Sequence, residues 1–106
     1  MTQPLAVDTV HQGVPHAFTM KLRGALDLAT CPLLTARLDE LLDQGALVVV
    51  VDATDVDFID STGLRALVHA GNALTERGGR LFIEGMSGAT QRVLEVTGLL
   101  ERFQRP

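Results

Sequence analysis

Tryptophan and tyrosine are absent from this 106-residue chain, and cysteine occurs once, at Cys31. Without Trp or Tyr the usual platforms for stacking nucleobases are missing. One thiol closes no intramolecular disulfide and builds no metal cage, so neither is expected to hold the fold together. Lys and Arg number 9 against 13 Asp and Glu, for a formal net charge of −4. That balance speaks against nucleic acid as a partner, because such affinity comes largely from cations neutralising phosphates. No apolar run approaches the roughly 20 residues a membrane-spanning helix needs, so no membrane insertion is expected. The amino-terminal stretch lacks the basic segment followed by an apolar one that marks a signal peptide. With one unpaired thiol, the expected location is the cytoplasm.

What is there is enough to fold. Hydrophobic residues make up 46% of the chain and charged residues 21%, a composition that offsets the entropy of ordering and places the chain among globular domains. Its length fits one domain, residues 1–106. No internal repeat, low-complexity stretch or linker-like break interrupts it.

Strand and helix patterns alternate along the chain. Residues 5–10 contain β-branched Val7, Thr9 and Val10 and read as a first strand, followed by a turn at Gln12-Gly13-Val14-Pro15. Ala17 to Arg23 alternates Phe18, Met20 and Leu22 with Thr19, Lys21 and Arg23, so one face is covered and the other is wetter. Gly24 is expected to end that strand and Thr30 to cap a helix with Pro32 in its first turn. Leu34, Leu38, Leu41 and Leu42 form its apolar stripe, up to Gly45.

Leu47 to Val51 reads as a central strand buried on both faces. A helix follows from Ser61 with Leu64, Leu67, Val68, Gly71 and Leu74 at helical spacing, stopped by Gly78-Gly79. Leu81 to Ile83 is a last strand. Ser87 is placed to cap a third helix carrying Val93, Leu94 and Val96 as far as Gly98, after which Leu99, Leu100 and Phe103 form an apolar tail. Two strand–helix–strand crossovers imply an α/β fold with a largely parallel sheet and helices on one face.

The most informative segment runs from Val48 through Asp52 and Phe58 to Leu64, where a buried strand leads into a helix. Sites in open α/β sheets form at the carboxyl ends of strands. Ser61 stands where a helix cap belongs, and its hydroxyl can accept from the amide of Gly63 or Leu64. Asp60 is the competing cap, and if it serves, Ser61 is released for other chemistry. A phosphate on Ser61 would meet free amides and the positive end of the helix. It would add about −1.5 to −2 charge beside Asp60.

Asp60-Ser61-Thr62-Gly63-Leu64, with Gly24-Ala25-Leu26-Asp27 upstream and Thr97-Gly98-Leu99 downstream, resembles the STAS domain family, in particular bacterial anti-sigma factor antagonists. The resemblance covers nearly the whole chain in order and spacing. It implies a small STAS-type α/β domain: a four- to five-stranded, mostly parallel mixed sheet with three or four helices mainly on one face. It further implies that Ser61 is phosphorylated by an anti-sigma factor serine kinase, that the unphosphorylated form binds this kinase and frees the sigma factor, and that a serine phosphatase acting on phospho-Ser61 restores binding. Asp27, Asp60, Ser61, Thr62, Gly63 and Arg65 would then form the partner-binding surface. Members of the family often have glycine where this chain has Arg65. The resemblance implies no catalytic residue, metal or cofactor, and it leaves a weak homodimer open.

Competing readings are weaker. Asp52 ends a buried strand, as the phosphoacceptor of a receiver domain does, but the first strand ends in Val10-His11-Gln12-Gly13 without the acids that would hold a metal. Asp52, Asp55, Asp57 and Asp60 lack the glycine and glutamate of a calcium loop and read as a solvated turn. Nucleophilic catalysis by Ser61 needs a base, and sequence places none of His11, His16 or His69 beside it. Cys31, in a first helical turn, reads as structural. Gly78-Gly79 and Gly85 to Gly88 lack the lysine of a phosphate loop. The remaining alternative is a STAS subunit that docks on a lipid or anion transport complex.

Overall fold

Phe18, Met20 and Leu22 alternate with Thr19, Lys21 and Arg23 along one strand, and that two-residue period decides which side of the sheet receives the helices. The computed structural model describes residues 5–11, 13, 15–86 and 88–103. Its elements are β1 (Ala6–His11), β2 (Ala17–Leu26), α1 (Cys31–Asp43), β3 (Val48–Ile59), α2 (Ser61–Glu76), β4 (Arg80–Glu84), α3 (Gly88–Thr97) and α4 (Leu100–Phe103). The sheet order is β1-β2-β3-β4, with β1 antiparallel to β2 and the other two pairings parallel. This is the mixed α/β architecture that the sequence pattern and the family resemblance both imply.

Register aligns the inward residues into layers. Met20 pairs with Val51, which pairs with Ile83. These join Phe18, Leu22, Val49 and Leu81 in one core with Leu34, Leu38, Leu41 and Leu42 of α1, Leu64, Leu67 and Leu74 of α2, Leu94 of α3 and Phe103 of α4. Leu38 is 5% exposed. Leu38→Ala is therefore expected to cost about 2–5 kcal/mol in chemical denaturation, the lost transfer free energy of the buried methyl groups plus the cavity they leave. A loss below about 1 kcal/mol would place Leu38 outside a packed core.

The opposite face carries a row of charge. Asp8 pairs with Lys21, Lys21 with Asp52, and Asp52 with Glu84. The two pairs that Lys21 makes, with Asp8 and with Asp52, join opposite charges and favour this register, whereas Asp52 and Glu84 are like charges that oppose it. Lys21 Nζ also lies 3.8 Å from Asp55 Oδ2.

Several expected boundaries move, each for a physical reason. β2 does not stop at Gly24 but continues to Leu26. Gly24 adopts φ 99° inside the strand, beside a shift of register between Gly24 and Ala25, a bend that glycine makes at low cost. β3 does not end at Val51 but runs to Ile59. Two bulges, opposite Lys21–Arg23 and Gly24–Ala25, break its alternation and hide it from a period-two reading. Asp52, Asp55 and Asp57 therefore stand on a strand, not in a solvated turn.

Among the α3 residues whose side chains are described, Leu94 alone is buried, at 0% exposure, while Val93 is 36% and Val96 81% exposed. The expected Ser87 cap and positions 12 and 14 of the first turn lie outside the described residues.

Candidate functional site

The carboxyl ends of β2 and β3 lie side by side, with Leu26 paired to Ile59, and both candidate segments leave the sheet there. On the β3 side, Asp60 has extended backbone angles, φ −108° and ψ −177°, and its Oδ1 accepts from the Gly63 amide at 2.9 Å. Asp60, the competing candidate, is thus the cap of α2, and Ser61, expected at the cap position, is instead the first residue of the helix. No hydrogen bond to the Ser61 hydroxyl occurs among the described residues, and the residue is exposed. The side chain stands at the positive end of a 16-residue helix.

This assignment separates two stabilities. Asp60→Ala is expected to cost about 0.5–2 kcal/mol in thermal or urea unfolding through the lost cap. Ser61→Ala should stay within about 0.5 kcal/mol of the wild type, as surface substitutions do. A reversed order would put the cap back on Ser61.

On the β2 side the chain turns at Asp27. Its Oδ1 accepts from the Ala29 amide at 3.0 Å and the Thr30 amide at 3.1 Å, and the Thr30 hydroxyl lies 3.1 Å away. Thr30 makes no cap bond to α1; its hydroxyl turns back to the Ala25 carbonyl at 2.8 Å. Asp27, rather than Thr30, therefore satisfies the free amides ahead of α1.

The two sides are held together through Leu26. Its carbonyl accepts from the Asp60 amide at 3.2 Å, and a Cβ on Gly63 would lie 2.4 Å from the same oxygen. Only glycine permits that approach. Gly63 is buried and Thr62 is half-buried, while Arg65 is exposed one turn beyond Ser61. The structure thus gathers Asp27, Asp60, Ser61, Thr62, Gly63 and Arg65 at one end of the molecule. Within that group Gly63 supports the surface from beneath.

Two neighbours escaped the sequence reading. Leu28 is 71% and Phe58 45% exposed, apolar side chains flanking the acidic turn and the motif. The available signal was their lack of a periodic apolar partner. Cys31, Thr62, Arg65, Ala66 and His69 line a shallow groove between α1 and α2. Of the other weighed residues, Asp52 has its carboxyl held below the usual range, first by hydrogen bonds from the Thr54 hydroxyl and amide, with Lys21 adding a smaller favourable charge. His16 bonds Gly45 at 2.8 Å at the opposite end of β2. The His11 side chain lies outside the described residues.

Residues 10–103 match the family described as Mlab, STAS domain. The chain belongs to the STAS family. An anti-sigma-B factor antagonist of Staphylococcus aureus is 34% identical over 82 residues, covering 77% of this chain and 76% of that protein. Among solved structures, the anti-sigma factor antagonist SpoIIAA in its unphosphorylated form superposes with a TM-score of 0.79 at 18% identity, over 92% of this chain and 84% of that one. The phosphorylated form of SpoIIAA, from Bacillus, superposes with a TM-score of 0.74 at 19% identity, over 92% and 87%. A sulfate transporter family protein from Wolinella succinogenes gives 0.70 at 23% identity, over 81% and 70%. The solved structures establish this STAS chain's fold. No helix among the described residues is long and apolar enough to cross a membrane.

Proposed function

We propose that this STAS protein is an anti-sigma factor antagonist whose unphosphorylated form binds an anti-sigma factor serine kinase and releases a sigma factor. Phosphorylation of Ser61 ends that binding, and a serine phosphatase reverses it. The observation that carries the reading is the exposed, uncapped Ser61 hydroxyl at the first position of α2, with the capping duty taken by Asp60. A hydroxyl already committed to the helix would have to break its bond to react. Here the modification is compatible with an intact helix start, and the added dianion sits where the helix dipole favours it.

The surface around it suits a protein partner. Leu28 and Phe58 offer apolar contact, and Asp27, Asp60 and Arg65 offer charge. A dianion placed among these acids alters docking without altering the scaffold. The likeness to anti-sigma-B factor antagonists supports the same partner class. The protein acts in this scheme as a kinase substrate and has no catalytic role of its own.

A second reading, a STAS subunit docked on a transport complex, draws on the structural likeness to a sulfate transporter family protein. Incubation with anti-sigma kinases and ATP, followed by mass-spectrometric mapping, separates the two. Phosphate confined to Ser61 is expected. Absence of modification, with co-purification of a transport ATPase, favours the second reading.

A further inference from the structure

We infer that Arg65 closes onto the phosphate of phospho-Ser61, so that phosphorylation both adds a dianion to the docking surface and withdraws a cation from it. The inference rests on the reading that Ser61 is the modified residue. Ser61 and Arg65 are the first and fifth residues of α2, four apart and therefore neighbours on one face of the helix. Helical side chains lean toward the amino terminus, so Arg65 covers the turn that carries Ser61. The acid-before-base order is the favourable one for such a pair.

Arg65 is exposed and has no ion pair or hydrogen bond among the described residues. It is also the only Lys or Arg between positions 48 and 76. The other titratable groups at this end of the molecule are Asp27, Asp57 and Asp60, with His69 one turn beyond Arg65 on α2 and Cys31 of α1 lining the same groove as Arg65. Asp60 is engaged with the Gly63 amide, and the one acid within α2, Glu76, stands at its far end, so Arg65 has no competing partner on its own helix. A guanidinium meets a phosphate through two parallel N–H bonds, which a lysine ammonium cannot reproduce.

In the unmodified protein Arg65 projects to solvent and is available to an acidic group of the partner. In the phosphorylated protein the same side chain is taken up within the helix. Arg65 is thus a positioning residue for the switch, and a glycine at this place would leave the phosphate uncompensated.

The test installs phosphoserine at position 61 during translation, so it requires no kinase, and follows the second phosphate ionisation by phosphorus NMR. Against the wild type, Arg65→Ala is expected to raise that midpoint by about 0.3 unit, as loss of an i,i+4 charge pair implies. Arg65→Lys should restore part of the shift, and 1 M salt should erase the difference between variants. Identical midpoints for wild type and Arg65→Ala at low salt would overturn the inference. Taking each shift between two variants cancels the contribution of Asp27, Cys31, Asp57, Asp60 and His69. Failure of the proposed function appears elsewhere, as equal partner affinity for modified and unmodified wild-type chains.

Discussion

Gly63→Ala is expected to destabilise the protein by about 2–3 kcal/mol and to lower its melting temperature by about 10–20 °C. Two effects oppose one another. Alanine in a helix gains roughly 0.5–1 kcal/mol over glycine, because glycine loses more freedom on folding. Against this, the new Cβ would stand 2.4 Å from the Leu26 carbonyl oxygen and 2.9 Å from its carbon. The obstacle is backbone, so no rotamer change relieves it. The helix start must move away from the end of β2, stretching the Asp60 amide bond to Leu26. Overpacking at a site that cannot yield reaches the upper part of the usual range, so the loss exceeds the gain. Thermal unfolding followed by circular dichroism reads the result. A Gly63→Ala protein as stable as the wild type would mean that α2 and β2 are not in backbone contact.

The second large effect is on binding. Ser61→Asp is expected to weaken association with the anti-sigma kinase by about tenfold to 100-fold, since a like charge introduced at a docking surface costs on the order of 1.4–2.7 kcal/mol. Ser61→Ala should bind within about threefold of the wild type, under ~1 kcal/mol, because it removes a hydroxyl that carries no bond in the fold. It should also persist in the complex when ATP is present, having no acceptor oxygen. Titration calorimetry with both variants measures the pair of outcomes. Equal affinities for Ser61→Asp and Ser61→Ala would move the switch to another residue.

The sequence announced the helices better than the strands. Four leucines of α1 at helical spacing are all buried, because a 3.6-residue stripe depends only on the helix itself. β3 was legible to Val51 and then lost. Its two bulges are set by pairing with β2, a long-range event that leaves no local mark except an irregular run of aspartates. The cap of α2 was placed on Ser61, with Asp60 as the competitor, and the structure reverses the two for a related reason. Both residue types cap well, and the decision rests on backbone angles fixed by the Leu26 contact. Gly63 shows the same limit: its presence was visible, but the oxygen it must accommodate belongs to a distant strand. Leu28 and Phe58 read as unremarkable apolar residues until the fold left them exposed at the motif.

The central claim is that one dianion on the Ser61 oxygen abolishes docking while the scaffold stands. The most direct measurement compares the affinity of an anti-sigma kinase for the unmodified chain and for the chain carrying phosphoserine at position 61. A carboxylate at this place has half the charge of phosphate or slightly more, so the genuine modification should exceed the effect of Ser61→Asp. The account predicts a loss of about 100-fold or more with an unchanged far-ultraviolet spectrum. Equal affinity of the two forms, or loss accompanied by unfolding of α2, would contradict it.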